Sequence, residues 1–454
     1  MSSALLQHVY SQWGFKSSPF QTTSLPPSET GAMLLTGRDK ELSTIARRIV
    51  GVPKFATVEG LNGVGKTSIV NVAAYKLFEE HMSTGEGPLF IPCRKIFQLH
   101  PDQNLQQFVD EVLFEVAQTL IERAEEIKNK GVKIKTKAVD TWLNSPQLST
   151  YQAGIQAVVA GLNLGKQSET NTSKGFDQSG FQRLVKEWLA TVFPEPESGG
   201  VVCMIDNLEL LQSSDKAKEL LEQLRDELLT LPGLRWVFCG ALGIVYGVVA
   251  SPRLEGYLHK PVPVAEIEDK YVPDILKNRI KAFGADGQNM TLPLLSSDFG
   301  ELYKVLHGIL RSVLSAADDY CNWIDTEKSN PKDDNERHEF FMEWLRDQSA
   351  EAYQAVQLQL RARALKVFDD AVNIGGVFSP SDFQQFGFKG IQQFRPSIKD
   401  LENAGVLVST RDEGDKRRKT IQITAKGWLI SYHLQNTQHS KIEPLPGEDE
   451  VVEE

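Results

Sequence analysis

The chain has only four cysteines in 454 residues, Cys93, Cys203, Cys239 and Cys321, and they form no CxxC pair. A disulfide framework or a thiolate-bound metal needs closer spacing, so neither is expected. Cys93, Cys203 and Cys239 each lie in or at the end of an apolar strand-like run, where cysteine behaves as a small buried hydrophobe. Apolar runs of about 18 residues are missing, as is a charged-then-apolar N-terminus. We therefore expect no membrane partner and a cytoplasmic protein. An excess of positive charge is absent too. Lys and Arg number 49 against 60 Asp and Glu, a formal charge of −11. Bulk attraction to polyanions is excluded, and any nucleic-acid contact must come from a local basic patch.

What is present begins with length, enough for two or three domains with sizeable cores. Residues 1–30 read as an irregular arm, because "YSQWGFKSSPF" is aromatic-rich and interrupted by Gly14 and Pro19. Such an arm is suited to covering apolar surface on the domain that follows. From residue 31 to 268, strand-like runs ("KFATVEG", "PLFIPC", "GVVCMID", "LRWVFCGA") alternate with helical patterns. In "GRDKELSTIARRIVG" the apolar Leu42, Ile45 and Ile49 share a face, with acids early and Arg47 and Arg48 late. This alternation predicts an α/β fold with a parallel sheet and helices on both faces. Residues 128–176 fit neither pattern and read as an insertion or loop.

Strand signals stop near Lys270, and residues 269–360 read as an all-α lid and linker. There "DFGELYKVLHGILRSVLSAADDYCNWI" reads as one helical stretch, and the polar Asp325–Glu336 as a hinge. Residues 361–436 form a last globular part. Residues 437–454 are acidic and proline-containing, with little to bury, and predict a disordered tail.

The strongest chemical signal is "VEGLNGVGKTS". Gly60, Gly65, Lys66 and Thr67 satisfy GxxxxGK[ST], after a strand and at the start of a helix. In the loop of Gly60, Asn62, Gly63, Val64, Gly65, Lys66, Thr67 and Ser68, backbone N–H groups converge on one concavity that cradles phosphates. The helix N-terminus adds partial positive charge. Lys66 is expected to reach the β- and γ-phosphates of ATP or ADP, and Thr67 to ligate Mg2+. Asp206, closing "GVVCMID", is the expected second magnesium-side carboxylate. The residue after it is Asn207, where a second acid would position water. An amide can orient water but cannot take its proton. Glu209, two residues on, is the candidate base, with a residue outside the motif as the alternative. The expected activity is a weak ATPase.

With these motifs the chain resembles the AAA+ superfamily and the related STAND signalling ATPases, most closely the initiator-like ATPases of the origin-recognition type, from Trp13 to about Gln435. "GFKSSPF" and "LLTGRDKELSTI" look like the segment that wraps adenine, which implies that Arg38 and Glu41 lie near the nucleotide. Without that resemblance they read as a surface helix start. "ASPRLEGYLHKPVPVAEIEDKYVPDILKNRI" is similar to the stretch after the fourth strand. That makes Arg253 the match to an arginine reaching a neighbouring subunit's γ-phosphate, and so implies self-association. The alternative is a surface arginine paired with Glu255 or Glu266. "HGILRSVL" resembles the lid's GxxR element, with Arg311 as nucleotide sensor or, alternatively, an ordinary ion-pairing arginine. Two departures stand against vigorous hydrolysis. One is Asn207. The other is "VFCGALG", which offers only Cys239 and Gly240 where the family carries a polar residue.

The last globular part reads as three short helices, two strands around a charged turn and a closing helix. That order resembles a winged helix-turn-helix, with "DLENAGVL…ITAKGW" as its most specific match. Pro396 reads as first-turn proline of the third helix, Ser379 or Ser381 as cap of the second, and Gly405 as the C′ residue. Residues 361–436 hold 12 Lys and Arg against 8 Asp and Glu, a local +4. Arg395 and Lys399 lie on the third helix, and Arg411, Lys416, Arg417, Arg418 and Lys419 cluster in the wing. Double-stranded DNA is one partner these cations suit. A protein partner is the other, since the wing also carries Asp412, Glu413 and Asp415.

Overall fold

The computed structural model describes residues 8–131, 178–211, 214–241, 243–249, 251–411 and 419–439. The expected insertion at 128–176 therefore lies outside the described residues from 132 onward, as do Lys416, Arg417, Arg418 and the tail from 440. The chain divides into two compact units, one built on Thr23–Ala265 and the other on the N-terminal arm with the residues from Glu266 onward. Among the described residues no helix is long and apolar enough to cross a membrane.

The first unit contains α1 (Glu29–Leu34), α2 (Asp39–Val50), β1 (Ala56–Gly60), α3 (Lys66–Thr84) and β2 (Leu89–Gln98). There follow α4 (Leu105–Glu122), α5 (Ala124–Asn129), α6 (Gln178–Val192), β3 (Gly199–Asp206) and α7 (Ser214–Leu224). It closes with β4 (Leu234–Gly240), α8 (Ile244–Val249) and β5 (Val262–Val264). The five strands form one sheet in the order β2-β3-β4-β1-β5, and every registered pair is parallel. This is the α/β parallel sheet expected from the alternating pattern, with β5 as an additional short strand.

Because side chains alternate along a strand, each strand feeds two cores. Val202 and Met204 of β3 and Val237 of β4 pack with Ile45, Ile69 and Ala73 of α2 and α3. Val201, Cys203, Ile205, Trp236 and Phe238 pack the other way, against α4, α6, α7 and α8. Every residue of β3 is buried, as a central parallel strand covered on both faces requires. The same alternation puts Asp206 on the face of α3, and Glu59 of β1 on the face of α8.

The second unit holds α9 (Val272–Phe283), α10 (Ser296–Val305), α11 (Leu310–Glu327), α12 (Asp334–Gln357) and α13 (Ala362–Asn373). Then come β6 (Val377–Phe378), α14 (Ile391–Asn403), β7 (Leu407–Arg411), β8 (Lys419–Ile423) and α15 (Ala425–His439). The three strands form a sheet in the order β6-β8-β7. The arm divides: up to Thr22 it belongs to this second unit, and from Thr23 it belongs to the sheet-bearing unit, where the Leu25 carbonyl accepts from Asn71 at 2.9 Å. Tyr10, Trp13, Phe15 and Phe20 are buried in the helical core with Phe299, Tyr320 and Phe341. Tyr10 donates to Asp318 at 2.6 Å and Trp13 Nε1 to Asn330 at 2.8 Å.

Four local expectations are corrected. The stretch read as one helix breaks between α10 and α11, where His307 (φ 48°) and Gly308 (φ 70°) both take left-handed conformations. Leu306 therefore belongs to neither helix. The hinge shrinks to residues 328–333, because Asp325–Glu327 complete α11 and Asp334–Glu336 begin α12. The second short helix is only a turn at Pro380–Asp382, capped by Ser379 and Asp382 reciprocally. Pro396 lies inside α14, which begins five residues earlier at Ile391. Gly405, at φ 72°, does terminate α14, its N–H bonding Glu402 O at 3.0 Å.

Candidate nucleotide site

The phosphate loop connects β1 to α3. Gly63 and Gly65 sit at φ 86° and 95°, a region that L side chains rarely adopt. A Cβ at Gly65 would have open space within 4 Å, whereas one at Gly60 would lie 2.4 Å from the Val264 carbonyl. Gly65 thus faces the concavity and Gly60 a close crossing with β5. Lys66 is buried, and its ammonium donates to the carbonyls of Gly60 (3.0 Å) and Leu61 (3.1 Å). The Ser68 hydroxyl accepts Leu25 N–H at 3.0 Å.

Thr67 and Asp206, 139 residues apart, meet directly. The Thr67 hydroxyl donates to Asp206 Oδ2 at 2.6 Å, while Oδ1 accepts Asn207 N–H at 2.9 Å. Asp206 is 5% exposed. Cys239 lies beside this pair. Burial pushes its thiol up, the Asp206 and Glu209 charges add to this, and Lys66 opposes it.

Asn207 itself has φ 55°. It ends β3 in a left-handed turn and accepts Leu210 N–H at 2.9 Å. Asparagine adopts that conformation at lower cost than glutamate. The asparagine that departs from two consecutive acids is thus well suited to this backbone turn. After the turn, the 3-10 segment Leu208–Leu211 brings Glu209 back to the sheet, where Oε2 accepts Ala241 N–H at 2.9 Å.

Arg38 is the N-cap residue of α2, so it does stand at a helix start, but at 4% exposed it is buried rather than on the surface. One guanidinium nitrogen donates to Val64 O (3.0 Å) and Ala265 O (2.7 Å), the other to Glu41 at 3.2 Å. It buttresses the phosphate loop through the Val64 carbonyl. Arg253 is exposed and pairs at 3.6 Å with Glu222, not with Glu255 or Glu266. Arg311 is exposed on α11, and Arg395 and Lys399 are exposed on α14. Arg411 and Lys419 belong to β7 and β8.

One residue of this site was missed from sequence. Glu59, 8% exposed, accepts N–H bonds from Gly243 and Tyr246. Burial raises its pKa, while the two amides and Lys66 lower it. The available signal was an acid in an apolar strand one residue before the phosphate loop.

No protein-family model and no curated protein matches the chain. Solved structures do. The ORC1 protein of Aeropyrum pernix in complex with DNA is 14% identical, covering 91% of this chain and 97% of that one, with a TM-score of 0.40. The ADP form of the ORC2 protein of A. pernix is 11% identical over 95% of this chain and 100% of that one, with a TM-score of 0.44. A Walker-type ATPase of Pyrococcus abyssi is 13% identical over 90% and 99%, with a TM-score of 0.41. Likenesses this distant carry no argument about chemistry or partners, which rests on the residues themselves.

Proposed function

We propose that the chain is an ATP-binding, AAA+-like protein that acts as a nucleotide-controlled, DNA-associated regulator or assembly factor. The observation that carries the nucleotide part is the meeting of Thr67 and Asp206 at the start of the phosphate-loop helix. Phosphates would lie against the loop amides opposite Gly65, with Lys66 exchanging its carbonyl partners for phosphate oxygens. Magnesium suits the two oxygens that Thr67 and Asp206 bring together, since it takes hard oxygen ligands. When bound, it neutralises charge on the phosphates. Asp206 would orient it, Arg38 would hold the loop in shape, and Glu209 would take the proton from water in slow turnover. Arg253 of a neighbouring copy and Arg311 of the lid would complete the nucleotide response.

The DNA part is supported by Arg395 and Lys399, exposed on α14, within a region of net positive charge. We read α13–α15 with β6–β8 as a winged helix-turn-helix, α14 entering the groove and the wing cations gripping phosphate. A second reading, a STAND-like switch, is favoured by one observation. Trp428 of α15 stacks on His307 at 3.4 Å between ring centroids, so the C-terminal region makes protein contacts within its own unit.

The test is a titration with a fluorescent ATP analogue and with duplex DNA. Lys66→Ala should abolish nucleotide binding, and Asp206→Asn should remove its magnesium dependence. Arg395→Glu with Lys399→Glu should weaken DNA binding and flatten its salt dependence by about one unit per lost phosphate contact. Nucleotide affinity unchanged in Lys66→Ala would sink the site. Salt-independent or absent DNA binding by wild type would hand the case to the second reading.

A further inference from the structure

Two carboxylates grip the same short segment from opposite sides. The chain leaves β4 at Gly240, and Ala241 N–H bonds to Glu209, which follows the Asp206 strand by one turn. Gly243 N–H bonds to Glu59, which belongs to the phosphate-loop strand and directly precedes Gly60. The amide of Tyr246, in the first turn of α8, bonds to Glu59 as well. β4 lies between β1 and β3 in the sheet. Its exit segment is thus tied to the strand on each side by a buried or half-buried acid. The packing leaves little slack. A Cβ on Gly240 would come within 2.8 Å of Val245 Cγ2 and 3.2 Å of Leu208 Cβ.

We propose that Glu59 is a positioning residue for nucleotide turnover, acting through the β4 exit segment on Glu209. The inference rests on reading this site as an ATP site with turnover. In that reaction the water oxygen bonds to the γ-phosphorus as the bond to the β–γ bridging oxygen breaks. ADP leaves with the electron pair, and the water proton passes to Glu209. Glu209 cannot fix its own place, because it stands on a single 3-10 turn after the left-handed Asn207. Its Oε2 is held by the Ala241 amide, and that amide is fixed only as well as the segment behind it. Glu59 supplies the fixing and ties it to the strand that carries the phosphates. The amides of Gly243 and Tyr246 both donate to this one side chain, and two bonds to a single buried acid suit a tether on the chain leaving β4.

The test compares wild type, Glu59→Ala, Glu59→Gln, Glu209→Gln and the double variant Glu59→Ala/Glu209→Gln. ATP affinity, kcat and hydrogen exchange of the 240–250 peptide are read for each. Glu59→Ala should accelerate exchange in that peptide about tenfold or more. It should lower kcat on the order of 10²-fold, as a misplacement near 1 Å does, while ATP affinity stays within about threefold. Glu59→Gln keeps an acceptor oxygen and should recover most of both effects. The double variant should be no slower than Glu209→Gln alone. A Glu59→Ala enzyme that turns over like wild type overturns the proposal. So does full additivity with Glu209→Gln, or equal loss of affinity and kcat, which would mean that Glu59 merely holds the site together. Wild type that binds ATP and never hydrolyses it also overturns it, and leaves the ATP site standing. Wild type that binds no ATP removes the site itself.

Discussion

Replacing Asn207 with glutamate creates two consecutive acids after β3, and on the ATPase reading proposed above it should not bring fast hydrolysis. Asn207 holds φ 55°, where a residue without a short side chain costs about 1–2 kcal/mol. Asparagine escapes much of that penalty, so Asn207→Glu should destabilise the sheet-bearing unit by about 1 kcal/mol. In a unit of its size this lowers the melting temperature by roughly 2–4 °C. Asn207→Gly, which relieves the same constraint, should melt at or slightly above the wild-type temperature. Turnover of Asn207→Glu should stay within about tenfold of wild type, because the new carboxylate leaves a left-handed residue rather than an extended one. Differential scanning calorimetry without nucleotide and steady-state phosphate release measure the two parts. An Asn207→Glu protein with unchanged melting and hydrolysis accelerated about a hundredfold would refute the reasoning. It would show that chemistry, not backbone, selected asparagine here.

Trp13→Ala should cost about 3–5 kcal/mol of stability in the helical unit, since the indole is 4% exposed and bonded to Asn330. Denaturant unfolding followed by circular dichroism checks it, and a loss under about 1 kcal/mol would mean that the arm is only loosely seated. His307 makes stability pH-dependent. Burial against Trp428 lowers its pKa below 6.5, so the unfolded chain binds the proton more readily than the folded one. The contribution is present above 6.5 and is lost as pH falls through that value to the depressed one. His307→Asn, which tolerates φ 48°, should therefore flatten the melting-temperature profile on acidification. A profile as steep as wild type would count against the stack.

The parts of the site readable in sequence are those whose chemistry is set by neighbours in the chain. The phosphate loop needs left-handed glycines and a lysine at fixed spacing, and a buried strand ending in Asp206 announces itself by its apolar run. What sequence hid depends on distant backbone. Arg38 carried no sign that its partners would be the Val64 and Ala265 carbonyls. The apolar spacing of Leu306, Leu310 and Leu314 continues through a break in the helix. Only the consecutive His307 and Gly308 hinted at the turn, because periodicity reports which faces are buried, not whether the backbone between them is continuous.

The end of β4 shows why a motif can be incomplete without the site being so. At that place "VFCGALG" has no polar side chain, and the packing explains it. Gly240 lies too close to Val245 and Leu208 to carry one, and Cys239 is fully buried between charged neighbours. The polar groups there come from the flanking strands instead, Glu59 ahead of the phosphate loop and Glu209 after Asp206. They meet the backbone amides of Gly243 and Ala241. In the folded sheet carboxylates reach the end of β4 from 32 residues upstream and, on β1, from 184.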